Sequence, residues 1–87
     1  MPDEQKERAR LLYKLIGKNN WNACYDRLEH FKRFQNLKEY IKDFSNSGWI
    51  IIHKKPDYTA ISLNTQYKKE IIEFIEINLP ELRGLIK

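Results

Sequence analysis

The sequence predicts an α+β domain: compact helices, then a two-stranded β-hairpin, then one further helix. Three observations carry this. Apolar residues recur at helical spacing in three blocks before Gly48 and again after Thr65. Between those blocks, SGWIIIHKKPDYTAISLN (47–64) sets two β-branched and aromatic runs around a polar tip, HKKPD. The chain has 87 residues, 13% of them aromatic, so it forms one domain, burying roughly 60–65% of the surface its unfolded form exposes.

Taken in order, Ala9, Leu12, Tyr13 and Ile16, widened by Leu11 and Leu15, mark a first helix over residues 3–17. Pro2, Asp3 and Glu4 suit its start, and Gly17 with Asn19 and Asn20 its end. Trp21, Cys24, Leu28 and Phe31 predict a second, short helix, with Cys24 in the core. Leu37, Tyr40, Ile41 and Phe44 predict a third, with Asn36 and Glu39 in capping-box spacing and SNSG as its stop. Trp49–His53 and Tyr58–Leu63 then read as strands around a Lys54–Asp57 turn. A lone hairpin is marginal in water, so it must lie on the helices. The last helix carries Tyr67, Ile71, Phe74 and Ile75, with Asn64 or Thr65 as its cap. Pro80 interrupts it near Asn78–Leu79 and opens a short final turn.

Helix, short helix, turn, helix, hairpin is the plan of a winged helix-turn-helix domain. YIKDFSNSGWIII resembles the end of a recognition helix running into a first wing strand, and DYTAISLN resembles the second wing strand. The resemblance covers residues 5–64, with residues 65–87 as a helical extension. NLKEYIKDFSNSGWIIIHKKPDYTAISLN is also similar to the LOTUS and Egalitarian-type winged helices of germline RNA regulation.

The net charge of +4 is unevenly placed: residues 1–20 carry five basic and three acidic side chains, residues 65–87 four of each. That mild excess permits a polyanionic partner. The resemblance implies that the third helix enters a groove while the wing follows the backbone. Lys32, Arg33, Lys38 and Lys42 are then the helix-side cations. Gln35, Ser45 and Asn46 reach base edges, and His53, Lys54, Lys55 and Tyr58 act from the wing. The partner expected is nucleic acid, DNA ahead of RNA. Lys38 and Lys42 alternate with Glu39 and Asp43, however, which also describes an ordinary solvated face, and lysines at a hairpin tip also protect an edge. A second expectation is a protein partner or homodimer using Ile72, Ile77, Leu79, Leu82, Leu85 and Ile86.

Other chemistry finds little to work with. Cys24 and His30 are six residues apart, no CxxC or HxxxH occurs, and no metal or other cofactor is expected. The three glycines form no phosphate cradle. Asp26, Glu29, Glu39, Asp43, Glu70, Glu73 and Glu76 read as solvated faces, and Cys24 has no base beside it, so no enzymatic activity is expected. One cysteine, no signal peptide in MPDEQKERAR and no run of 18 apolar residues point to an intracellular protein, in cytoplasm or nucleus, with no membrane partner.

Overall fold

Three α-helices enclose one face of a three-stranded antiparallel sheet. The computed structural model describes residues 4–86; the helix start expected at Pro2 and Asp3 lies outside them. The elements are α1 (Glu4–Gly17), β1 (Asp26–Arg27), a 3₁₀ turn (Leu28–Phe31), α2 (Leu37–Asn46), β2 (Ile50–Lys54), β3 (Thr59–Leu63), a 3₁₀ turn (Thr65–Tyr67) and α3 (Lys68–Asn78). A last 3₁₀ turn spans Pro80–Leu82. The strand order is β1-β3-β2. Ile50 pairs with Leu63 and Ile52 with Ile61 on β2, and Asp26 pairs with Ile61 on β1.

Helix α1 buries Ala9, Leu11, Leu12 and Leu15. Its stripe is turned from the expected one, so Tyr13 is 38% exposed. Its end uses Asn19 rather than Gly17 as the left-handed residue, at φ 59°. The Asn20 N–H donates to the Leu15 carbonyl (3.0 Å) and the Asn19 N–H to that of Ile16 (2.9 Å), the paired closure of a Schellman motif. Helix α2 ends the same way. Gly48, at φ 83°, donates to the Ser45 carbonyl (3.0 Å) and Trp49 to that of Phe44 (2.9 Å). The Trp49 ring stacks on Phe44 at 5.7 Å and meets Phe74 edge-on at 5.7 Å, tying α2, the hairpin and α3 together. The expected capping box does not form, because Asn36 makes no side-chain cap bond. Asn64 does cap, accepting from the Gln66 N–H (3.0 Å) while its amide donates to the Gly48 carbonyl (3.1 Å).

The second helix is absent. Trp21 bridges to Leu63 in parallel, and β1 pairs with β3. The Leu63 N–H donates to the Asn20 carbonyl and the Asn22 N–H to that of Leu63, both at 2.7 Å. Phe31, Ile61 and Leu63 are fully buried at this seam. Burying each is worth about 1.5–3 kcal/mol, while helix propensities differ by tenths of a kcal/mol per residue, so pairing with β3 prevails. Cys24 lies in the connecting turn and is exposed, not in the core.

The last helix belongs to the core. It packs on α1, and Ile71, Ile75 and Leu79 are buried. Leu79, expected on a partner surface, is only 2% exposed. Its N–H donates to the Ile75 carbonyl (2.7 Å) and extends the helix inward before Pro80 ends it. Among the described residues, no helix is long and apolar enough to cross a membrane.

Candidate nucleic-acid interface

Helix α2 turns Tyr40, Ile41 and Phe44 to the core, so the residues between them face outward, and Lys38, Glu39, Lys42, Asp43 and Asn46 are exposed. Asp43 is not free: Arg8 of α1 reaches it at 2.7 Å while lying 4.8 Å from the centre of the Tyr40 ring. One of the two acids that balanced this face is thereby neutralised, and Lys38 and Lys42 stand against Glu39 alone. Ser45 is half-buried at the helix end.

Where the turn before α2 meets its first turn, Lys32, Gln35, Lys38 and Glu39 line one shallow depression of about 380 Å³. Arg33 sits 5.7 Å from the centre of the Phe34 ring; it is not in that depression but shares a neighbouring hollow with Gln35 and Asn36, and it also lines a groove against α1.

The hairpin packs on α2 through β2. The Lys55 N–H donates to the Tyr58 carbonyl (2.9 Å) and closes the tip, where Lys54 and Lys55 are exposed. His53 is no tip group. The Ser62 hydroxyl donates to the Asn22 carbonyl (2.6 Å), so it accepts from His53 Nε2 (2.9 Å), which must carry a proton. The imidazole also lies 4.7 Å from the Tyr25 ring, half-buried under the 22–25 turn. It serves as a tie between that turn and the sheet.

Beside it is a cluster that sequence reasoning missed. The Tyr25 and Tyr58 hydroxyls share a hydrogen bond (3.1 Å). Arg27 lies 4.3 Å from the centre of the Tyr58 ring and Lys55 5.4 Å from that of Tyr25. The bond from Tyr25, with burial, raises the Tyr58 pKa above its usual value. Tyr25 and Arg27 fell in the segment read as a helix, where nothing marked them as neighbours of the hairpin.

The cations divide into two sets. Arg8, Arg10, Lys18 and Arg27 are engaged with Asp43, Glu7 (4.0 Å), Asp26 (2.9 Å) and Glu29 (3.6 Å). Among the described residues, Lys32, Lys38, Lys42, Lys54 and Lys55 make no ion pair, nor do Lys14, Arg33, Lys68, Lys69 and Arg83 elsewhere on the surface. Asp26 anchors the first set. Burial alone would raise its carboxyl pKa, but hydrogen bonds from Lys18, His30 and the Arg27 N–H outweigh it and hold the pKa below the usual value. Among the described residues, no group of three His, Cys, Asp or Glu side chains is arranged to hold a metal. Comparisons with protein-family models, with curated proteins and with solved structures find no match to this chain.

Proposed function

We propose that this domain is a winged helix that binds nucleic acid, DNA in preference to RNA, with α2 as the reading helix and the β2–β3 hairpin as the wing. The carrying observation is a run of unpaired cations on adjoining elements: Lys32 before α2, Lys38 and Lys42 on α2, and Lys54 and Lys55 at the hairpin tip stand without acidic partners. The strand order β1-β3-β2, with α2 leading directly into β2, supports the winged-helix reading. Lys38 and Lys42 take phosphates beside the groove, with Gln35 and Asn46 positioned on the same exposed stretch for base edges. Lys54 and Lys55 take phosphates from the wing, joined by the Tyr58 hydroxyl.

The test is fluorescence anisotropy with a short duplex DNA and a structured RNA at low salt. Binding tighter than about 100 μM, weakening steeply as salt rises and favouring the duplex DNA, is expected. No binding to either nucleic acid overturns the reading.

A further inference from the structure

One concavity plays no part in that reading. It is an open groove of about 820 Å³ along the C-terminal half of α1, reached also by Arg33, Phe34 and Leu85. Its walls are apolar at Tyr13, Ile16, Phe34 and Leu85, and Tyr13 and Leu85 are 38% and 67% exposed. Arg10, Lys14, Lys18 and Arg33 ring it; Glu7 stands 4.0 Å from Arg10 and Asp26 2.9 Å from Lys18, which leaves Lys14 and Arg33 without an ion pair. The crowding of positive charge has a consequence at Lys14, whose pKa is lowered by burial and then by repulsion from Arg33 and Lys18. At Gly17 the groove floor is bare backbone, and a Cβ there would meet nothing within 4 Å. An occupant must therefore be apolar at its centre and acidic around it.

The same chain carries such a surface. Ile77 on α3 is 76% exposed, the most exposed large apolar side chain among the described residues. It shares a shallow hollow with Glu73, Glu76, Pro80 and Arg83, so the acids outnumber the one cation, on a helix that also holds exposed Glu70. We propose that the groove is a self-association site and that its occupant is the Ile77 face of a second copy, the Ile77 side chain between Tyr13 and Leu85 and the α3 glutamates against Arg10 and Arg33. Apolar contact supplies the attraction and the opposed charges set the register. The pairing does not depend on nucleic acid.

Sedimentation of the full chain without nucleic acid tests this. The mass is expected to rise from monomer towards dimer over roughly 10 μM to 1 mM, the range of small transient interfaces. Gly17→Leu fills the groove without disturbing the fold, and it should weaken association at least tenfold, as should Ile77→Asp. Two charge-reversed chains sharpen the test. Arg10→Glu/Arg33→Glu has an acidic groove and an acidic knob, and Glu70→Lys/Glu73→Lys a basic groove and a basic knob. Each should stay monomeric alone, and their mixture should form a one-to-one dimer. A wild type that stays monomeric throughout, a dimer indifferent to Gly17→Leu and Ile77→Asp, or a reversed pair that fails to associate overturns the proposal.

Discussion

At Gly48 the backbone stands at φ 83°, and a Cβ would lie 3.0 Å from a ring carbon of Tyr67. Left-handed strain and the displaced ring act together, so Gly48→Ala should cost about 1–2 kcal/mol in urea unfolding, with no change in the denaturant slope. Asp26 gives a second prediction at this scale. Its folded-state pKa is depressed, so its stabilisation is fully present above the ordinary carboxylate range and is lost as pH falls through the folded value. Asp26→Asn should therefore destabilise by about 1 kcal/mol at neutral pH. That gap should begin to narrow only as pH falls below the ordinary carboxylate value of about 3.9, and close below the lower folded-state value. A gap that persists in strong acid, with Asp26 protonated, would mean that its charge contributes nothing through Lys18 and His30.

Among the elements, the Phe44–Trp49–Phe74 cluster sets the angle between α2 and the hairpin. Trp49 is half-buried, so Trp49→Ala should lose about 2 kcal/mol, below the 3–5 of a fully buried aromatic. It should also weaken nucleic-acid binding through misplacement of the wing, measurable under conditions where the variant remains folded. The elements legible in sequence are those whose signals are local. The stripe Leu37–Tyr40–Ile41–Phe44 marked α2, the β-branched runs marked the hairpin, and Pro80 marked the end of α3. The segment 21–31 misled because Trp21, Cys24, Leu28 and Phe31 copy a helical period. What decides that segment is the edge of β3, some way along the chain, and no local pattern reports it. Asn22, left-handed at φ 55°, lies inside that segment and leaves no room for an uninterrupted helix. The candidate site divides the same way. Lys38, Lys42, Lys54 and Lys55 were legible from the third helix and the tip. Tyr25 and Arg27 depend on the non-local pairing, as does the neutralisation of Asp43 by Arg8.

For the whole molecule, the Cα radius of gyration is 12.3 Å, matching the roughly 12 Å of one compact domain of this length, so α3 is part of the body rather than an arm. This body carries two separate groups of cations, one around an apolar groove on α1 and one spread over α2 and the hairpin tip. The proposed nucleic-acid binding rests on the second group. It is tested most directly by the slope of log binding constant against log salt for a duplex DNA, measured for the wild type and for Lys38→Ala/Lys42→Ala/Lys54→Ala/Lys55→Ala. Every phosphate that the protein no longer neutralises should flatten the slope by about 0.9. A flattening of about 3–4 is expected in the fourfold variant, with its fold intact by circular dichroism. An unchanged slope, or a steep slope that Arg10→Ala/Arg33→Ala flattens instead, would contradict a phosphate grip by α2 and the wing.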